Sequence, residues 1–165
     1  MDPEHGWAVK LDSMRAAANS KTRAILVSNP SNPCGNNMSR EEVRGIVELA
    51  NELRIPLISD EVFYGLSYEG EYISFTEFNQ TVPMICLGSL SKVHYVPGWR
   101  CGWIIVYNTH GYFDLVVENL SKQQKILLHP ASFVQAVVPA ILELPSHYLD
   151  TMKTKLRDSA RLVFE

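Results

Sequence analysis

Residues 39–60 read SREEVRGIVELANELRIPLISD, and this stretch decides the fold class because a helix pattern passes directly into a strand pattern. Ser39 belongs to the residue types that cap helix N-termini, and Glu42 stands three positions later, as a capping box requires. Apolar residues follow at helical spacing, namely Val43, Ile46, Val47, Ala50 and Leu53. Pro56 cannot continue a helix, and the apolar run in residues 57–60 predicts a buried strand.

Three further apolar runs predict the other strands of the same sheet. They are residues 23–28 (RAILVS), residues 84–87 after Pro83, and residues 103–107. Strands that alternate with a helix favour parallel pairing, so we predict an α/β fold with a mostly parallel sheet flanked by helices. Residues 65–82 are mostly polar and aromatic, and we expect a connection with at most a short helix there.

The last third of the chain is predicted to be helical. One helix spans residues 113–128, and a second spans residues 131–144 with a kink at Pro139. Ser146 caps a final helix that continues to Glu165. The apolar positions of this last helix include Leu149, Met152, Leu156 and Leu162.

Composition excludes several classes of protein. The 165 residues are 46% hydrophobic and 20% charged, which suits one folded domain. A net charge of −3 argues against nucleic-acid binding. The sequence contains no run of eighteen apolar residues, so we expect no membrane span. The first residues are acidic and polar, unlike a secretory signal, and the three cysteines lack metal-ligand spacing. We therefore expect a cytoplasmic protein with free thiols and no bound metal.

Polar motifs follow the predicted strands, at the edge where open α/β sheets bind their ligands. NPSNPCG (residues 29–35) follows the first strand, Asp60 ends the second, GSLSK (residues 88–92) follows the third, and Arg100 precedes the fourth. Each motif alone has an ordinary structural explanation as a turn, a helix cap or a surface charge. Their convergence on one edge is specific. A phosphate-binding P-loop does not fit, because Pro83 stands where its first glycine is required.

Lys92 is the most informative residue among these. We expect it on a loop between two buried strands, flanked by Ser89 and Ser91 and followed eight residues later by Arg100. Lysine amines form Schiff bases with carbonyl compounds, and arginine binds phosphate with a planar fork. This combination points to chemistry on a phosphorylated carbonyl compound.

The linked motifs NPSNPCG, SDE, SLSK and VPGWRCGW resemble those of the fold-type I, pyridoxal-phosphate-dependent aminotransferases of class I/II, and most closely the tyrosine aminotransferase branch. The resemblance implies pyridoxal 5′-phosphate as the cofactor, an amino acid and a 2-oxo acid as substrates, and a homodimer for the full-length protein. It runs from about Trp7 to the end of the chain, which covers less than half of a family-length protein.

The resemblance also implies a role for each motif residue. Lys92 matches the lysine that forms the Schiff base and moves a proton to and from the substrate α-carbon. Asp60 matches the carboxylate that pairs with the pyridine nitrogen, while Ser89 and Arg100 match ligands of the cofactor phosphate. Asn32 matches the residue that contacts the cofactor 3′-oxygen and the substrate carboxylate. The Asn32–Pro33 bond is a candidate cis peptide.

One motif residue departs from the family pattern. A tyrosine usually stands three residues after the aspartate and donates to the 3′-oxygen, but this chain has Phe63 there and Tyr64 next. An ungapped match loses the phenol, whereas a one-residue shift of the loop brings Tyr64 in instead. We hypothesise that the phenol donor is absent.

The resemblance divides the chain into residues 1–145, part of a cofactor-binding large domain, and residues 146–165, the start of a helix toward a small domain. The family's glycine-rich phosphate turn and its substrate-binding arginine have no match here, so we expect this chain alone to bind cofactor weakly and turn over negligibly. Three interpretations stay open: an aminotransferase, another reaction of the same fold such as carbon–sulfur lysis or synthesis, and a non-catalytic truncated product.

Overall fold

A computed structural model describes residue 4 and residues 6–68, 70–78, 81–127 and 129–164 of the protein. The sheet in these residues consists of β1 (Ile25–Ser28), β2 (Leu57–Asp60), β3 (Met84–Ser89) and β4 (Gly102–Tyr107), in the spatial order β1-β2-β3-β4. The first three strands are parallel, and β4 runs antiparallel to β3. The predicted mostly parallel α/β sheet is confirmed.

The helices agree with the predictions in the long elements and differ in the short ones. They are α1 (Leu11–Ala17), α2 (Arg40–Leu53), α3 (Leu90–Val93), α4 (Asp114–Leu127), α5 (Ser132–Leu142) and α6 (His147–Phe164). Neither α1 nor α3 was predicted, and the described part of the connection after β2 contains a short 3-10 helix, Phe75–Glu77. The expected last residues of two helices, Leu128 and Glu165, lie outside the described residues. No described helix is both long and apolar enough to cross a membrane.

Helix α2 begins and ends as its sequence predicts. The Ser39 hydroxyl accepts a hydrogen bond from the Glu42 amide at 3.2 Å, and the Glu42 carboxylate accepts one from the Ser39 amide at 2.8 Å. This reciprocal pair satisfies backbone donors that the first helical turn leaves unpaired. After Leu53 the chain turns at Arg54, whose backbone is left-handed with a φ of 54°. Pro56 then leads directly into β2.

The main hydrophobic core lies between α2 and one face of the sheet. Alternate strand residues point to opposite faces, so Ile25, Leu57 and Met84 share the covered face. The buried residues of α2 that pack against them are Val43, Ile46, Val47, Leu49 and Ala50. On the opposite face Leu26 is 68% exposed. The sheet is therefore covered on one side, and its other side carries Asp60.

A second, smaller core holds the segment between β3 and β4. Leu90 of α3, Cys101 before β4 and Val134 of α5 are buried together. Partly buried side chains pack around them, namely Val96, Trp103, Val138 and Ile141. Helix α5 thus fixes both ends of residues 90–101, the segment that contains Lys92 and Arg100.

Candidate active site

The polar motifs meet at the carboxyl edge of the parallel strands. Ser28 lies opposite Asp60, so β1 and β2 end together, and Asp60 lies opposite Leu87, from which β3 continues to Ser89. Hydrogen bonds extend the pairing beyond the strands: the Asn29 amide donates to the Asp60 carbonyl at 3.0 Å, and the Glu61 amide donates to the Leu87 carbonyl at 3.1 Å. This backbone arrangement brings the segments after the three strands side by side.

Asp60 is the last residue of β2 and is half-buried. By strand alternation its side chain lies on the face of the sheet that carries Leu26, away from the α2 core. Its Oδ1 accepts a hydrogen bond from the Val62 amide at 3.2 Å, which holds the carboxylate at the end of the strand. The carboxylate can still accept from a ligand's donor, because each of its oxygens has two lone pairs.

Lys92 lies in the one-turn helix α3 and not on a loop as we expected. The turn forms because Leu90 and Val93 are both fully buried and face the interior, which leaves Lys92 exposed. The Lys92 Nζ stands over the ring of Phe63, 5.6 Å from its centroid. Phe63 is three residues after Asp60, so this contact brings the amine to the segment that follows the carboxylate.

Tyr64 faces a different environment from Phe63. It lines a cavity of about 260 Å³ together with Glu61, Tyr72 and Trp103. Trp103 and Glu61 belong to the opposite face of the sheet from Asp60, because neighbouring residues alternate along a strand. In this structure Phe63 contacts Lys92, whereas Tyr64 lines the cavity beside Glu61.

Ser89 links the end of β3 to the start of β4. Its hydroxyl accepts a hydrogen bond from the Ser91 amide at 2.9 Å and donates one to the Cys101 carbonyl at 3.3 Å. Gly102 lies opposite Ser89 in the antiparallel pair, where an added Cβ would stand 2.9 Å from the Gly88 carbonyl oxygen. Glycine is thus required for the close approach of the two strands at this point. The approach holds Cys101, the residue after Arg100, within hydrogen-bonding distance of Ser89.

Arg100 is exposed and has a left-handed backbone, with a φ of 51°. Such a conformation is uncommon for a bulky residue, and residues held this way are frequent at functional sites. One guanidinium nitrogen, Nη1, donates to the Pro97 carbonyl at 3.0 Å. Nη2 and Nε remain for an anion that approaches from solvent.

Asn32 lies in the tight turn after β1. Both Asn–Pro bonds of the NPSNPCG motif are cis, which confirms the prediction for Asn32–Pro33 and adds Asn29–Pro30. The turn is closed by the Ser31 amide, which donates to the Asn36 carbonyl at 3.0 Å. Asn32 is exposed and lines a cavity of about 470 Å³ with Ser28, the residue opposite Asp60.

The residues that sequence reasoning missed form a buried polar network behind this edge. Glu61 is only 6% exposed, and its carboxylate accepts hydrogen bonds from the Ser59 hydroxyl at 2.8 Å and the Phe75 amide at 3.1 Å on one oxygen. The other oxygen accepts from the Ser74 hydroxyl at 2.8 Å and from the Tyr72 hydroxyl. A buried carboxylate with four donors is fully satisfied and holds its surroundings together.

The Glu61 carboxylate also changes the titration of its neighbours. Burial, the hydrogen bond to Glu61 and its charge together raise the pKa of Tyr72 above its ordinary value. Burial and the charge of Glu61 raise the pKa of Cys86 to about 12. Both groups therefore stay protonated at neutral pH. The sequence shows an acidic residue directly after the last residue of β2, but nothing in the local pattern predicts that Glu61 is buried.

Comparison with known proteins identifies the family of this chain. The family model for aminotransferase class I and II matches residues 1–165, and the chain belongs to that family. A probable aminotransferase of Arabidopsis thaliana, TAT2, is 42% identical over 144 residues, which are 86% of this chain and 35% of the relative. The cystine lyase CORI3 of the same plant is 36% identical, covering 94% of this chain and 38% of the relative.

A solved structure shares the fold. The tyrosine aminotransferase of Leishmania infantum superposes with a TM-score of 0.90 at 29% sequence identity, covering 98% of this chain and 44% of that chain. The chain spans about a third of the length of the curated relatives it matches.

Proposed function

We propose that this chain is part of a pyridoxal-phosphate-dependent aminotransferase, which transfers the amino group of an aromatic or related amino acid to a 2-oxo acid. The observation that carries the proposal is the meeting of Lys92 with the segment after Asp60, through the 5.6 Å contact to Phe63. It supports one site built from an amine and a carboxylate that are 32 positions apart in the sequence.

The side chains at this edge fit pyridoxal 5′-phosphate by their chemistry. The exposed Lys92 amine suits the aldehyde, and the Asp60 carboxylate suits the protonated ring nitrogen. The Ser89 hydroxyl and the Arg100 guanidinium belong to adjacent backbone segments and suit the phosphate. When bound, the cofactor supplies an electron sink for the negative charge that develops at the substrate α-carbon.

Each residue then has a distinct task. The Lys92 amine accepts the proton from the substrate α-carbon and returns it during transfer of the amino group, as a general base and acid. Asp60 keeps a positive charge on the ring nitrogen by direct pairing. Asn32, in its turn after β1, donates from its amide to the cofactor 3′-oxygen and to the substrate carboxylate. Ser89 and Arg100 fix the phosphate end.

The wider assignments follow the same resemblance. We propose a large cofactor-binding domain in residues 1–145, with residues 146–165 as the start of a helix toward a small domain. The location is cytoplasmic, and the full-length protein is a homodimer. The amino donor is proposed to be aromatic because the chain resembles the tyrosine aminotransferase of Leishmania infantum.

A second candidate reaction is carbon–sulfur lysis. The 36% identity to a cystine lyase favours it, because the same lysine and carboxylate serve both reactions. Incubation of the full-length protein with tyrosine, alanine and cystathionine separates the two. Both reactions yield a 2-oxo acid, but transamination passes the amino group to an acceptor 2-oxo acid, whereas lysis releases it as ammonia. Ammonia release without transfer would reject the aminotransferase assignment.

Borohydride trapping tests the site itself. The chain is mixed with pyridoxal 5′-phosphate, reduced and digested, and the modified lysine is located by mass spectrometry. We expect modification chiefly at Lys92 and its loss in Lys92→Ala, while Lys125→Ala of α4 behaves as wild type. Equal modification of several surface lysines would reject the assignment of Lys92.

A further inference from the structure

Asp60 and Glu61 are neighbours with opposite environments. Asp60 ends β2 on the open face of the sheet, whereas Glu61 is buried on the side of the core. The four donors to the Glu61 carboxylate come from Ser59 in β2 and from three residues of a distant segment, Tyr72, Ser74 and Phe75. Glu61 therefore ties the end of β2 to residues 72–75.

The same segment is tied to the end of β1. Asn29 is fully buried, and its side-chain amide donates to the Ile73 carbonyl at 2.9 Å. Its side-chain oxygen accepts from the Met38 amide at 3.0 Å, and its backbone amide donates to the Asp60 carbonyl. Residues 72–75 thus form a bridge between the ends of β1 and β2. Asn29 binds it through Ile73, and Glu61 binds it through Tyr72, Ser74 and Phe75.

This bridge fixes the peptide between Asp60 and Glu61. A carboxylate held by four donors cannot rotate without losing several hydrogen bonds, and charged hydrogen bonds are among the stronger ones in proteins. The Glu61 amide extends the pairing of β2 with β3 by donating to the Leu87 carbonyl at 3.1 Å, so the side chains of residues 60 and 61 point to opposite faces. Anchoring Glu61 on the buried side therefore sets the direction of Asp60 on the other side. The hydrogen bond from the Val62 amide to the Asp60 Oδ1 forms only when the carboxylate points in this direction, so protection of the Val62 amide is a measure of it.

We propose that Glu61 is a positioning residue: its buried carboxylate clamps residues 72–75 to the end of β2 and thereby orients Asp60 toward its ligand. The inference rests on the proposed function in one respect, namely that the ligand of Asp60 is the cofactor. The geometry can be tested without any cofactor, and the consequence for the cofactor is tested separately.

The first test measures hydrogen exchange of single amides by NMR in the 165-residue chain without cofactor. In Glu61→Ala we expect the Val62 amide to exchange about tenfold faster, since a charged anchor is lost. The amide of Val47 in α2 should keep its rate. Glu61→Gln should restore much of the protection, because one amide oxygen still accepts from Ser59 and Phe75. Glu71→Ala, which removes an exposed carboxylate beside the bridge, should match wild type.

Two outcomes would overturn the inference: unchanged Val62 exchange in Glu61→Ala, or equal acceleration at Val62 and Val47, which would mean a general loss of stability. If Glu61→Ala does not fold, Tyr72→Phe and Ser74→Ala each remove one donor, and both should accelerate Val62 exchange in the same direction. Wild-type exchange at Val62 in both would equally reject the proposal.

The second test titrates pyridoxal 5′-phosphate and follows its visible absorption. If Glu61 acts through Asp60, Glu61→Ala weakens binding in the wild-type background and has no further effect in an Asp60→Asn background. Full additivity of the two changes would refute positioning through Asp60. A full-length protein that shows no binding would reject the proposed function, while the exchange results would still decide the role of Glu61.

Discussion

The Lys92 ammonium lies over the ring face of Phe63, 5.6 Å from the ring centroid. A cation over an aromatic face is attracted by the electrons of the ring, so Phe63 supports the amine without offering a hydroxyl. Tyr64, the next residue, lines the cavity near Glu61 and Tyr72. The arrangement supports the hypothesis that the phenol donor usual in the family is missing from this chain.

Restoring that phenol should change the titration of the bound cofactor. In Phe63→Tyr the new hydroxyl donates to the cofactor 3′-oxygen and favours the deprotonated form, which lowers the pH midpoint of the visible band. We expect a decrease of about one unit, measured by absorbance between pH 5 and 10. Tyr64→Phe serves as the control and should leave the midpoint unchanged. An identical midpoint in wild type and Phe63→Tyr would contradict the hypothesis.

Two arginines with the same backbone conformation allow stability and binding to be separated. Arg100 and Arg54 both have left-handed backbones, with φ values of 51° and 54°. Glycine adopts this region without steric cost, so Arg100→Gly and Arg54→Gly should each stabilise the fold by about 0.5–1 kcal/mol. Urea denaturation followed by circular dichroism measures this gain.

Cofactor affinity should distinguish the same two variants. Arg100→Gly loses the proposed phosphate ligand and should bind pyridoxal 5′-phosphate about tenfold more weakly or worse. Arg54→Gly lies at the end of α2 and should bind as wild type. Equal affinities in the two variants would remove Arg100 from the site. A lower free energy of unfolding in both variants would contradict the prediction that the left-handed backbone strains these two arginines.

Cys86 should make the fold sensitive to alkali. Burial and the charge of Glu61 raise the pKa of its thiol from 9.0 to about 12. Between these values the unfolded chain has lost the proton that the native state keeps, so the unfolded state is favoured as pH rises. The free energy of unfolding should fall by up to about 1.4 kcal/mol per pH unit from this group alone.

Replacement of single cysteines isolates that contribution. Cys86→Ser has no thiol to titrate, so its unfolding free energy between pH 9 and 12 should fall less steeply than that of wild type. Cys34 is half-buried in the turn after β1, and Cys34→Ser should keep the wild-type slope. The measurement is urea denaturation at several pH values. If the unfolding free energies of Cys86→Ser and wild type fall with pH at the same rate, the Cys86 thiol does not contribute to the alkali sensitivity and the prediction fails.

The long elements could be predicted because local sequence and tertiary packing agree there. In α2 the capping pair Ser39 and Glu42 and the apolar stripe specify the same helix, and the structure contains both. The motif residues at the ends of β1, β2 and β3 could be placed because parallel strands end at one edge. Both inferences depend only on neighbours within a few residues and on one rule of sheet geometry.

The short helices and the buried network could not be predicted, because they depend on distant partners. Helix α3 exists because Leu90 packs with Cys101 and Val134, which are far along the chain. The acidic Glu61 looks like a surface residue in the sequence, and only the three donors from residues 72–75 explain its burial. Local patterns contain no information about such pairings.

The reversal of β4 has a consequence for how this chain can diverge. Because β4 returns along β3, the segment from Ser89 to Cys101 leaves and re-enters the sheet at one point, where the Leu90 amide donates to the Cys101 carbonyl at 3.2 Å. Insertions or deletions between Lys92 and Arg100 would re-space the amine and the guanidinium while every strand keeps its register. Because Val93 is buried and Val96 is partly buried, a change in the length of this segment must also preserve the packing of both side chains.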